Sequence, residues 1–421
     1  MSARTTFLQR RRGHALVLAA LVMTAVFTIT LPAGASSSPT GAPAASTPGT
    51  PPSRPSAPHS ARVLAPLPST LSTTHYLYAE DGTSPIDGID VFSISGSTLT
   101  SVQNVPVGVA NSTYFGSHHL VVTKQVIGRP ACLFFLSGGN STLYGFTIDP
   151  ATGMLTAAPS AATAPTSFAT GDLLASKNVL VETDPSTAFN TFRISNNCSP
   201  VALASNPTNG EQDINMARLS TNVVSADFNT GNIVTYSLNQ SSGVMSEIHS
   251  VPGQIGSPDG VAVQVKSTLS GLVTNVFTGQ ATFGPPQVQG AQTDATGSVM
   301  NFFSGSPATD GDPSSFNGAG VLVSGHLLLQ LNNSSNSLGW YNFTTGTPGF
   351  PGAISYSGDT GLPSSPTQMA KLGTTLFVAS WSTGEVDACH VTSGAVSGCV
   401  SVASLSTVGG SFNLSGSVAI K

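Results

Sequence analysis

Glu211, Asp213 and Asn215 occupy alternate positions where a polar stretch runs into the apolar segment 214–218, and Asp259 stands directly before a similar segment, 260–265. If such a segment lines a channel, a carboxylate at its start can take a proton from water or hold a cation. The competing role is local, because Asp and Asn also cap loops by accepting backbone N–H groups. These four are the candidate ligand-binding residues, and no residue is singled out as catalytic. His118 and His119 adjoin, so on a strand their side chains point to opposite faces and cannot share one metal ion. His326 and His390 read as surface residues. Asp310-Gly311-Asp312 resembles a short piece of a calcium loop without the later ligands, so no cofactor is expected beyond a weakly supported calcium ion. No G-x-S-x-G, Walker, H-E-x-x-H or C-x-x-C motif is present, which leaves serine-hydrolase, nucleotide-binding and zinc-peptidase readings without support.

The elements that must hold these residues repeat along the chain. A short apolar run, a Gly- or Ser-containing loop and an alternating strand with a central aromatic recur, with Phe92, Phe146, Phe192, Tyr236, Phe302, Tyr341 and Cys389 at equivalent positions. The steps between them run from 39 to 66 residues. A period near fifty with about four strands per unit predicts an all-β, seven-bladed propeller, since each small sheet has two apolar faces that only its neighbours can cover. The fifth unit fits least well, and the Gly/Gln/Pro-rich stretch 283–296 is assigned to a loop within it. The first unit lacks an innermost strand. The C-terminal run Gly416-Ser-Val-Ala-Ile420 resembles the segment at Gly260, so the end of the chain is expected to supply that strand and close the ring.

Arg4, Arg10, Arg11 and Arg12 precede an apolar segment, 15–31, and Ala33-Gly34-Ala35 offers small residues for cleavage. Residues 1–35 therefore read as a signal peptide cut after Ala35, and the protein as secreted. Residues 36–70 are rich in Pro, Ser, Ala and Thr and read as a disordered spacer; 71–421 form the propeller domain. Residues 1–35 hold four arginines and no acid, so ten basic residues then face 19 acidic ones, a formal net charge of −9. That balance excludes nucleic acid as a partner. No other stretch is apolar enough to span a bilayer, so no membrane contact is expected after cleavage; a monomer is expected. In an exported protein four cysteines suggest disulfides. Cys389 and Cys399 fall on the two arms of the last hairpin and are expected to bridge it, whereas Cys132 and Cys198 pair or remain free.

The runs LFFLSGGNSTLYGFTIDPATGMLT, LYAEDGTSPIDGIDVFSISGSTLT and LFVASWSTGEVDACHV resemble blades of the lactonase-type seven-bladed propellers, the group of 6-phosphogluconolactonase-like proteins and surface-layer YVTN-repeat relatives. The resemblance covers residues 74–421. It implies a site at the channel mouth where polar and charged residues open or close a lactone, although the Arg/His/Glu set of that group finds no match here.

Propeller topology sorts the charges. Loops joining the second and third strands (b–c) and links from one blade to the next (d–a) leave by one end, here called upper; a–b and c–d turns leave by the lower end. Glu80, Asp81, Asp87, Asp184, Asp227, Asp294, Glu385, Glu211, Asp213, Asp259, Asp310, Asp312 and Asp359 are assigned to the upper end, and Lys124, Arg129, Lys177, Arg218, Lys266 and Lys371 to the lower. An acidic mouth fits a neutral or cationic small molecule and disfavours a phosphorylated sugar lactone. Two functions follow: hydrolysis or isomerisation of such a lactone, or non-catalytic binding of carbohydrate, cell-envelope polymer or protein through the same loops.

Overall fold

The second strand of each sheet carries the strongest structural signal in the chain. Cys132–Ser137 and Leu327–Asn332 are buried along their whole length, which requires cover on both faces of the sheet. Outermost strands such as Val396–Ser404 are largely solvent-facing. The computed structural model describes residues 74–421 apart from 84–85, 108–117, 138–140, 164–170, 185–187, 209–212, 281–284, 311–319, 364, 381–382 and 406–417. Its described strands form seven antiparallel sheets, each with a four-strand path, arranged in a ring. Blades 2 and 5 each add a short extra strand, Ala162–Thr163 and Ala308–Thr309. The signal peptide and spacer assigned to residues 1–70 lie outside the described residues.

Seven apolar clusters hold the ring, one between each pair of neighbouring sheets. Phe134 and Leu136 of blade 2 meet Leu180 and Phe192 of blade 3 in one of them. Phe377 and Val386 of blade 7 meet Leu77 and Phe92 of blade 1 in another, which makes the seam an ordinary interface. Val418–Ile420 is the inner strand of blade 1, with Leu77 opposite Ile420, Tyr78 opposite Ala419 and Ala79 opposite Val418. Ring closure by the end of the chain is therefore as expected. Deleting Val418 to Lys421 strips these pairings and the buried Val418 from the seam. The deletion is expected to lower unfolding stability by about 3 kcal/mol or more, measured by denaturant titration. A loss below about 0.5 kcal/mol would show that closure contributes little.

Both disulfides form. Cys389 and Cys399 bridge the third and fourth strands of blade 7, as expected from their spacing. Cys132 and Cys198, whose pairing the sequence left open, join the second strand of blade 2 to the c–d turn of blade 3. Gly145 permits that approach, since a Cβ there would run into the Cys198 carbonyl.

Blade 5 corrects the sequence reading. Its third strand is Gln287–Thr293, inside the stretch assigned to a loop, and Val299–Phe302, expected to be the third strand, is the fourth. The real third strand, QVQGAQT, lacks an aromatic. Gly290 takes that room, with the ring of Phe303 lying where a Cβ would stand. Asp294 consequently lies in a c–d turn at the lower end, not at the upper end.

Candidate active site at the channel mouth

Inner strands line the centre of a propeller, and three of them begin irregularly. In blades 4, 5 and 7 the register against the second strand shifts between Asp213 and Asn215, Pro258 and Gly260, and Pro366 and Gln368. Such bulges re-aim the side chain at the extra position. In blade 5 that side chain belongs to Asp259.

One polar network joins three blades through Asp172, a residue that no sequence motif marks. Asp172 directly precedes the inner strand Leu173–Ser176 of blade 3 and is fully buried. Its Oδ1 accepts the backbone N–H of His118 at 2.6 Å and lies 2.8 Å from His118 Nδ1. Its Oδ2 accepts the backbone N–H of Met216 at 2.8 Å, and its own N–H is donated to Thr183 Oγ1 at 2.7 Å. His118 leads into the inner strand of blade 2 and Met216 lies in that of blade 4, so one carboxylate ties three consecutive blades together. Gly171 makes room for it, because a Cβ there would strike the Thr183 carbonyl.

His118 is the exposed member of this group, with 36% of its side chain accessible. Facing a carboxylate, Nδ1 carries the ring hydrogen in the neutral form and Nε2 keeps the lone pair. Burial works against the charged ring, but the charge and hydrogen bond of Asp172 outweigh it and hold the His118 pKa above its ordinary value. The pair is thus a His–Asp dyad with its reactive nitrogen directed away from the carboxylate.

Of the four candidates, Asn215 and Asp259 are brought together. Asn215, buried on the inner strand of blade 4, donates Nδ2 to the Asp259 carbonyl and, at 2.7 Å, to Asp259 Oδ1. Burial pushes the Asp259 carboxyl well above the ordinary carboxylate range; the Asn215 hydrogen bond opposes this and the nearby charge of Asp172 adds to it. Asp213 begins the inner strand of blade 4, its backbone opposite Asp227. Glu211 lies outside the described residues, as does Asp312 of the candidate calcium loop. Asp310 is buried and accepts from Asn332 Nδ2 at 3.0 Å. His119 turns away from His118 to Glu80 of blade 1, Nδ1 lying 3.3 Å from Oε1, with both side chains buried.

The raised Asp259 pKa fixes a sign for stability. A carboxyl titrating higher in the folded state contributes stability that is full below its unfolded pKa of about 3.9 and is lost as pH rises through the folded value. Asp259→Asn, which keeps the acceptor for Asn215, is therefore expected to melt above the wild type at pH 8. The gap should close near pH 4 in thermal denaturation at both values, and an equal gap at both would remove the assigned burial cost.

Asp227 and Asp294 cap their own turns. Asp227 Oδ1 accepts the N–H of Asn229, and Asp294 Oδ1 those of Thr296, Gly297 and Ser298. A glycine follows both caps closely, Gly231 and Gly297, each at positive φ. No such glycine closes a turn after Asp172, which is the signal that could have separated it from the caps.

Charge is segregated along the axis. Among the described residues every Lys and Arg lies toward the lower end, the six assigned from sequence together with Arg193 and Lys421. The acids described there are Asp149, Glu247 and Asp294.

No protein-family model matches the sequence, and no curated protein does. Solved structures match over nearly their full length. A Bacteroides fragilis protein assigned as a 6-phosphogluconolactonase aligns with TM-score 0.58 at 14% identity, covering 84% of this chain and 99% of its own. The periplasmic gluconolactonase PpgL of Pseudomonas aeruginosa gives 0.57 at 15%, over 82% and 99%. A Lactobacillus plantarum protein gives 0.57 at 15%, over 83% and 99%. The chain has the lactonase-type seven-bladed propeller fold. Within this propeller, the dyad sits at the upper end of the inner strands, where the sequence placed the mouth.

Proposed function

We propose that the protein is an exported hydrolase of a neutral or cationic lactone, with His118 as general base. The observation that supports this most is the His118–Asp172 pair: a part-exposed imidazole at the start of an inner strand, oriented by a buried carboxylate. In the reaction His118 Nε2 takes a proton from water, and the water oxygen bonds to the lactone carbonyl carbon as the carbonyl π pair moves to oxygen. The tetrahedral intermediate collapses by breaking the ring C–O bond, and the imidazolium returns the proton to the leaving alkoxide, giving the hydroxy acid. Asp172 is a positioning residue that fixes the tautomer and supports the imidazolium. Asp259, buried and held by Asn215, keeps its proton to higher pH than usual, so it adds no negative charge beside a developing oxyanion at this end. The two disulfides suit an oxidising compartment, in keeping with export.

Absence of Lys and Arg from the described upper end supports an unphosphorylated substrate. The test is paired hydrolysis of a neutral aldonolactone and its phosphorylated counterpart. The neutral lactone is expected to be turned over with kcat/KM at least about 100-fold higher, since the phosphate finds no charge-assisted partner. Preference for the phosphorylated lactone would contradict the substrate assignment. Turnover of neither would leave the alternative, a non-catalytic binding propeller in which Asp172 only stitches blades together.

A further inference from the structure

The lower end combines features that the site does not use. Among the described residues twelve large apolar side chains are exposed, and ten lie at or beside lower-end turns. The most prominent stand on two longer loops and at the tip of a long hairpin. Ile127, fully exposed, lies between Leu120–Thr123 and Cys132–Ser137; Leu269, also fully exposed, tips the hairpin of Pro258–Thr268 and Gly271–Gln280; Phe350, 72% exposed, lies between Ser337–Thr344 and Ala353–Gly361. The a–b turns of blades 3 to 7 are all two residues long, so blade 5 stands out by the length of its strands and not of its turn. From its bulge to its tip the blade 5 hairpin runs four residues beyond that of blade 4, roughly 13 Å. Leu272, Met300 and Pro348 line a cleft beside it.

Lysines accompany the tips. Lys124 shares the loop of Ile127, and Lys266 is three residues from Leu269; Lys177, Arg193, Arg218, Lys371 and Lys421 lie toward the same end, whereas Arg129 is buried against Asn178. We infer that this end docks onto an anionic phospholipid bilayer, apolar tips entering the acyl boundary and the basic residues meeting the headgroups. Apolar tips on several blades of one ring suit a flat surface, and their combination with positive charge is what an anionic interface selects. The acidic upper end does not oppose it. A seven-residue inner strand such as Asp213–Leu219 is about 23 Å long, more than two Debye lengths at physiological salt. The expectation of no membrane contact rests on the lack of a second spanning stretch, which does not bear on docking at a bilayer surface. Docked this way, the propeller presents the His118 mouth to the medium.

The test is co-sedimentation of residues 36–421, which contain the compact unit Thr70–Lys421 and omit the apolar run 15–31 that would itself enter a bilayer. Vesicles of phosphatidylcholine with about 30% phosphatidylglycerol are compared with phosphatidylcholine alone, at low and high salt. Binding is expected to the anionic vesicles, with loss at high salt. Ile127→Ser/Leu269→Ser/Phe350→Ser should weaken it by about tenfold or more, and Lys124→Glu/Lys266→Glu similarly, with melting temperatures unchanged because every altered side chain points to solvent or only partly leaves it. Equal pelleting with both lipids, wild-type binding by both variants, or capture of soluble polyphosphate in place of vesicles would overturn the inference. So would self-association by sizing without vesicles that both variants abolish, since the face would then belong to a second copy.

Discussion

His118→Ala is expected to lower kcat/KM for lactone hydrolysis by about 10²–10⁴-fold while leaving the fold intact, because it removes the base and not a core side chain. Asp172→Asn separates the two roles of the dyad. It keeps an oxygen for one N–H but removes the charge that holds the His118 pKa up, so burial alone then acts on the ring and its pKa should fall. A loss of activity at neutral pH is still expected, since an amide can present its NH2 to Nδ1 and favour the wrong tautomer. Stability supplies an independent sign. A histidine titrating higher in the folded state contributes stability that is full below about pH 6.5 and is lost as pH rises through the folded value. In Asp172→Asn that pH dependence should shrink.

Removal of the Cys132–Cys198 bridge is expected to cost more than removal of Cys389–Cys399. The first closes a loop of 66 residues and the second one of 10. Loop-closure entropy assigns them about 4 and about 3 kcal/mol. The first also joins two blades, whereas the second staples strands already paired within one sheet. Denaturant unfolding of Cys132→Ala/Cys198→Ala beside Cys389→Ala/Cys399→Ala checks the order. If the short-loop variant proves the less stable, chain entropy is not the governing effect.

Repetition made the fold legible. Each unit must cover two faces of a small sheet, and that demand is written as a buried second strand followed by an alternating third, with the aromatic at Phe92, Phe146 or Tyr236 filling the space between blades. Blade 5 escaped because Gly290 and Phe303 exchange the usual sizes: the bulk comes from outside the third strand, so a search for a central aromatic settles on Phe302. Asp294 was misplaced by the same slip. The candidate site was only half legible. Asn215 and Asp259 were found from their position before inner strands, but Asp172 has no composition cue, and its partners His118 and Met216 lie far from it in sequence. His118 was set aside because adjacent histidines on a regular strand diverge. They do diverge, and each finds its own carboxylate on a different blade.

The central claim is that a His118–Asp172 dyad opens a lactone ring, and the most direct measurement is the pH dependence of kcat/KM beside the NMR titration of His118, in wild type and in Asp172→Asn. The account predicts that the acid limb of the rate profile coincides with the His118 titration, lies above about 6.5 in the wild type, and moves down with it in the variant. A limb that stays in place while the His118 titration moves would contradict it.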